Sequence, residues 1–101
     1  MTKPRPELEL ELPADFADCG SLCWPTLARL RLVLLAASDA TTSPVLVLSL
    51  TNVQRGGAAF ISVLLETHHR LRRSGRRLKL RNMRWQIAGL LNTCRLTNLF
   101  L

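Results

Sequence analysis

The sequence predicts an α/β fold: a small mixed β-sheet flanked by helices, with elements in the order β-α-β-α-β-α-β. Three observations carry this reading. Glu7 to Leu12 alternates acid and leucine at every step, the period of a strand with one apolar face. Val45 to Leu50 is apolar at nearly every position, as in a strand covered on both faces. Between Ala58 and Ser74 apolar residues recur at helical spacing, and Gly75 closes the run before Leu78 and Leu80 alternate with cations. Strands alternating with helices imply a mainly parallel or mixed sheet with right-handed crossovers.

Residues 1–6 read as a short, flexible polar tail, and residues 7–101 as a single domain. The charges on the outer face of the strand Glu7–Leu12 suit a sheet edge, because they discourage pairing with another chain. Pro13 ends that strand. Ala14 to Cys23 is compatible with a turn or a short helical piece, and its small and polar residues do not decide between them. Trp24-Pro25-Thr26 starts a helix, since proline in the first turn needs no N–H partner. Leu27, Leu30, Leu34 and Ala37 share one face of it, and Ser38 to Ser43 reads as a small polar loop. Thr51 to Gly57 connects the central strand to the next helix, whose apolar stripe is Phe60, Ile61, Leu64, His68 and Leu71. Arg84 to Cys94 reads as the last helix, with Ile87, Leu90, Leu91 and Cys94 inward. Leu99-Phe100-Leu101 is a terminal strand or an apolar plug.

Composition limits the function. The chain has 101 residues and a net charge of +7, unevenly spread. Residues 1–50 hold four Lys or Arg against six acids, whereas residues 51–101 hold ten against Glu66 alone. A cationic half of this kind attracts nucleic acid, anionic lipid or an acidic protein face, or serves solubility. No apolar run reaches the ~18 residues of a membrane span. The N-terminus lacks the order of a secretory signal, so a cytoplasmic protein is expected. The three cysteines, Cys19, Cys23 and Cys94, are an odd count without a signal peptide, which argues against a disulfide framework. With His68 or His69 they supply zinc-type ligands, but no compact C-x₂-C or H-x₃-H pair is present. Buried thiols are the expectation, with no metal and no cofactor.

Other chemistry is thin. Gln54-Arg55-Gly56-Gly57 resembles an anion-binding nest at a helix start. However, no Lys-Ser/Thr pair follows, so a turn needing positive φ is expected instead. His68 sits on the apolar stripe and reads as a buried or boundary histidine. His69 is expected to be exposed. Neither has a Ser or Cys partner at a catalytic spacing, and paired carboxylates are lacking in residues 51–101, where Glu66 stands alone, so no enzyme is expected. The run Arg70, Arg73, Arg76, Arg77, Lys79, Arg81 and Arg84 reads as a basic face. Without tyrosine for base stacking, it fits an acidic partner better than nucleic acid. Core packing is expected for Trp24 and Trp85. An exposed Trp85 would instead mark an interface hot spot.

The segments Val45-Leu46-Val47-Leu48-Ser49-Leu50-Thr51-Asn52-Val53, Ile61-Ser62-Val63-Leu64-Leu65 and His69 to Leu80 resemble the STAS family of sulfate transporter and anti-sigma factor antagonist domains. Leu90-Leu91 to Leu96 and Leu99-Phe100 are similar to its C-terminal helix and tail. The resemblance covers about residues 44–101 closely and 7–43 by element order. It implies a STAS-like fold and a non-enzymatic regulatory module. The implied partner is an anti-sigma factor kinase or a transporter ATPase, as for a lipid-transport subunit. In the family, a Ser or Thr after an Asp at a helix N-terminus is phosphorylated by a cognate kinase, and the added charge disfavours the partner. That pair falls here on Gly57 and Ala58, a degenerate phosphosite, and the strand-end Asp and Gly of the family fall on Ser49 and Asn52. These departures fit a divergent member that binds constitutively or has taken a different partner. The expected partner-binding residues are Asn52, Gln54, Arg55, Gly56, Gly57, Ala58, Ala59 and Ser62, with Ser62 the nearest hydroxyl to the lost site. The alternative function is a small basic nucleic-acid-binding domain. Oligomeric state is left open.

Overall fold

The computed structural model describes residues 7–19, 24–40 and 43–100. The expected tail at residues 1–6 and the thiol of Cys23 lie outside these. Strands β1 (Glu7–Glu11), β3 (Val45–Ser49) and β5 (Arg77–Arg81) form a three-stranded sheet in the order β1-β3-β5. Strands β2 (Asp18–Cys19) and β4 (Arg55–Gly56) form a small two-stranded sheet. Every ladder among the described residues is parallel. Helices α1 (Trp24–Ala40), α2 (Ala58–Arg72), α3 (Trp85–Thr93) and α4 (Thr97–Phe100) complete the α/β fold, with a 3-10 turn at Ala14–Phe16.

β1 takes the edge and β3 the centre, as the charge on one and the apolar run on the other require. The order advances in one direction, so right-handed crossovers put α1 and α2 on the same side of the sheet. All four helices accordingly meet one core. Leu27, Leu30 and Leu34 come from α1, and Phe60, Ile61, Leu64 and Leu71 from α2. Ile87 and Leu91 of α3 and Phe100 of α4 join them against Leu46, Leu48, Leu78 and Leu80 of the sheet. Each such side chain contributes about 1.5–3 kcal/mol when fully buried.

α2 ends where glycine permits it. Gly75 takes φ +72°, Gly75 N donates to Arg72 O at 3.0 Å, and Arg76 N donates to Leu71 O at 2.9 Å. This is a Schellman closure. α3 closes the same way, with Arg95 N bonded to Asn92 O at 3.0 Å and Leu96 N to Leu91 O at 2.9 Å. There the left-handed position is held by Arg95 at φ 58°.

Several expectations are corrected. Ser38–Ala40 continue α1 rather than forming a loop, because the Ser38 hydroxyl donates to Leu34 O at 2.8 Å and Asp39 pairs with Arg70. The connection Thr51–Gly57 contains β4. Neither Gly56 nor Gly57 has positive φ, and Gly57 is extended at φ −132°. Leu99-Phe100 lies in a helical turn and not a strand, with Phe100 buried as a plug. Cys94 is exposed, since α3 has already closed when the chain reaches it.

Candidate functional site

The three strands of the main sheet run in one direction, so their C-terminal ends lie along one rim. Hydrogen bonds tie that rim together. Leu50 N donates to Arg81 O at 2.9 Å, and Asn52 Nδ2 donates to Leu12 O at 2.9 Å. Asn82 Nδ2 donates to Ser49 Oγ at 3.2 Å, and Ser49 Oγ lies 3.0 Å from Thr51 Oγ1. Asn82 is left-handed at φ 59°, a conformation asparagine tolerates, and it turns the chain from β5 towards α3.

The segment from Thr51 to α2 crosses this rim. Gln54 N and Arg55 N both donate to Ala17 O, at 2.7 and 3.0 Å, which carries the chain into β4 beside β2. Gly56 pairs with Cys19 and lies against Phe60, where an added Cβ would come 2.7 Å from the ring. Cys19 is buried, and its thiol donates to Phe16 O at 3.1 Å. Gly57 is the N-cap of α2 and offers no side-chain cap, and the first turn holds no acid. The leading N–H groups of α2 have no intrahelical acceptor. Gln54, Arg55, Ala58 and Ser62 are exposed, whereas Asn52, Gly56, Gly57 and Ala59 are half-buried. Ser62 Oγ donates back to Ala58 O at 3.1 Å, so this hydroxyl is engaged within the helix. The expected partner-binding residues thus fall together. Asn52 and Gly56 act in shaping the segment, and Gln54, Arg55 and Ala58 present its outer surface.

Beyond the rim loop stands Trp85, 79% exposed at the start of α3, directly after the exposed Arg84. Its expected place in the core is corrected, although helical spacing signals the true one. Trp85 lies about 200° around the helix from Ile87, on the side opposite the buried stripe. Asn82 shapes the rim without belonging to any motif of the sequence. The signal for it is an asparagine between an alternating strand and a helix start.

The seven residues expected as one basic face are not brought together. Arg70 makes a bidentate pair with Asp39 of α1, its Nη2 at 2.9 and 3.0 Å from the two carboxylate oxygens. Arg73 lines an open groove of about 430 Å³ with Leu35, Glu66, His69 and Arg70. Arg76 Nη2 donates to Ser38 O at 2.8 Å, at the end of α1. Arg77, Lys79 and Arg81 stand on β5, and Arg84 belongs to the rim. In the groove wall, Arg31 Nη2 reaches Glu66 Oε1 at 2.7 Å, and this hydrogen bond holds the Glu66 carboxyl below its usual range.

His68 is buried, with its ring edge-on to Phe100 at 5.6 Å and to His69 at 5.9 Å. Its Nδ1 has no hydrogen-bond partner. Burial lowers its pKa, and the positive charge of His69, Arg72 and Arg77 adds to this. Among the described residues, no group of three or more His, Cys, Asp or Glu is placed to hold a metal ion. Also among them, no helix is long and apolar enough to cross a membrane.

Comparison with known proteins agrees with this architecture. The STAS domain family model matches residues 19–101. A crystal structure of a sulfate transporter family protein from Wolinella succinogenes superposes with a TM-score of 0.68 at 18% identity, covering 97% of this chain and 74% of that one. At that identity the likeness concerns the fold. Comparison with curated protein sequences gave no match.

Proposed function

The chain belongs to the STAS domain family, and from that premise we propose that it is a non-enzymatic protein-interaction module. Its contact surface is the loop Thr51–Gly57 and the first turn of α2, and that surface carries no phosphorylatable switch. The observation that bears most weight is the start of α2. It emerges at the sheet rim with Gly57 as cap and Ala58 exposed, the two positions where the family resemblance places its Asp-Ser pair. A partner can approach small residues closely there, and no hydroxyl at either position can accept a phosphoryl group. Ser62, the nearest hydroxyl, is bonded to Ala58 O.

Trp85 extends this surface as an anchor. A large exposed aromatic beside arginines is the residue pattern of an interface hot spot. Arg55 and Arg84 favour an acidic partner and speed encounter with it. The family is associated with regulation and with transporter-related modules, so the partner class is an anti-sigma factor kinase or a transporter ATPase. The dispersal of the cations over α2, β5 and the rim counts against a nucleic-acid groove.

The test is capture from native lysate with the tagged chain, run at two salt concentrations, followed by mass spectrometry of the captured material and of the chain itself. A protein partner lost on substitution of Ala58, with no phosphate on residues 54–62, is the expected result. Recovery of nucleic acid alone, or phosphate at those positions, would defeat the reading.

A further inference from the structure

The main sheet has a second face. Leu10, Leu46, Leu48, Leu78 and Leu80 point to the helices, so the alternate residues point away, and among the described residues none of these belongs to the helix-side core. In register, Glu9, Val47 and Lys79 form one row across this face, and Glu11, Ser49 and Arg81 form the next. Val45 and Arg77 share the row before. The face is therefore striped in charge, acidic on β1 and basic on β5, with Val47 and Ser49 of β3 buried between them at 1% and 3% exposure. Arg81 Nη1 reaches Glu9 Oε1 at 3.4 Å diagonally across it, with both side chains roughly half exposed at 44% and 49%. A long, solvated pair contributes little and is readily exchanged for another.

We propose that this face packs on the same face of a second copy of the chain, about a two-fold axis parallel to β3. The order of charge selects both the occupant and the axis. Rotation about the central strand exchanges left and right, so the β1 acids of each copy lie over the β5 cations of the other. A two-fold axis across the strands would set acid on acid. An acidic protein or a polyanion would meet Glu9 and Glu11 within about 10 Å of the basic row, two strand spacings away.

The area sets the strength. Three strands of five residues span roughly 15 by 17 Å. That is about a third of the ~800 Å² per partner of a stable complex. The dimer is therefore transient, populated at high protein concentration and low salt, and lost when salt screens the stripe.

Sedimentation of the full chain at low and high salt tests this. The expected result is a dimer that grows with concentration at low salt and dissociates at high salt. Glu9→Lys/Glu11→Lys makes the rows of Val47 and Ser49 wholly cationic, and Lys79→Glu/Arg81→Glu makes the same two rows wholly anionic. Each double variant, with its fold checked by circular dichroism, is expected to be monomeric alone, and an equal mixture is expected to restore a heterodimer. A monomer throughout, a dimer indifferent to salt, self-association of either variant, or a mixture that stays monomeric would each overturn the proposal. If a variant fails to fold, the wild-type amide shifts decide. Dilution must move the signals of β1, β3 and β5, and movement confined to the helices or the rim overturns it.

Discussion

Gly56 and Phe60 are packed so tightly that a methyl group on Gly56 would sit 2.7 Å from Phe60 Cδ2, closer than such atoms approach. The ring is fully buried. Gly56 is also held from the other side by its pairing with Cys19 in the small sheet. Glycine is required here for close approach, since its backbone does not take positive φ. Gly56→Ala is expected to destabilise the chain by about 1–3 kcal/mol in urea unfolding, the usual range for overpacking. Adding Phe60→Leu should give a double variant that loses less than the sum of the two single changes. Strict additivity would show that the contact does not carry the effect.

The two Schellman closures make opposite predictions. Gly75 has nothing within 4 Å of a built Cβ, so only its φ of +72° opposes a side chain. Gly75→Ala should cost about 1–2 kcal/mol, the penalty of a left-handed alanine. Arg95 already bears that penalty at φ 58°. Arg95→Gly should therefore stabilise the chain, by about 0.5–1 kcal/mol after the greater freedom of glycine in the unfolded state is counted. Thermal midpoints of the two variants, moving in opposite directions from wild type, are the measurement.

Periodicity made the sheet legible in the sequence. Glu7 to Leu12 and Val45 to Leu50 have one reading each, because a strand that is half or wholly buried must show it at every step. The C-terminus of α1 was not legible. Ser38 and Asp39 look like loop residues, and they are helical because Leu34 O accepts one and Arg70 binds the other. The second of these is a tertiary fact. Dispersal of the basic run has the same origin. Residues 70–84 form one block in sequence, but the turn at Gly75 sends Arg70 and Arg73 to the α1 side and Arg77, Lys79 and Arg81 to the sheet. For the rim, element order placed Gly57 and Ala58 at the helix start, whereas the hydrogen bonds of Asn52 and Asn82 that shape it join residues far apart in the chain.

His68 gives the fold a defined pH dependence. Its pKa lies below the ordinary value in the folded chain because burial and the nearby positive groups disfavour the imidazolium. The unfolded chain therefore binds the proton first as pH falls. Stability is full above about 6.5, the ordinary histidine value, and declines as pH drops from there to the depressed folded value, below which the loss is complete. His68→Leu keeps an apolar side chain against Phe100 and removes the orphaned Nδ1. Thermal midpoints of the variant should lose most of the decline seen in wild type between about pH 7 and 5. An unchanged slope would assign the decline to other groups.

Ala58→Glu separates the interaction surface from the fold. A carboxylate in the first turn of α2 faces the positive end of the helix dipole, where an acid contributes about 0.3–1 kcal/mol of stability. Ala58 is exposed and the first turn holds no other acid, so the thermal midpoint should hold or rise. The same charge stands where the partner is expected to approach, and it repels an acidic face. Capture of the partner recovered by the wild-type chain should be lost. Trp85→Ala removes a side chain that is 79% exposed, so it should likewise weaken capture with little change in stability. Surface plasmon resonance with the identified partner reads both. If Ala58→Glu binds as wild type while Trp85→Ala does not, the contact lies on α3 and the start of α2 is not the docking point.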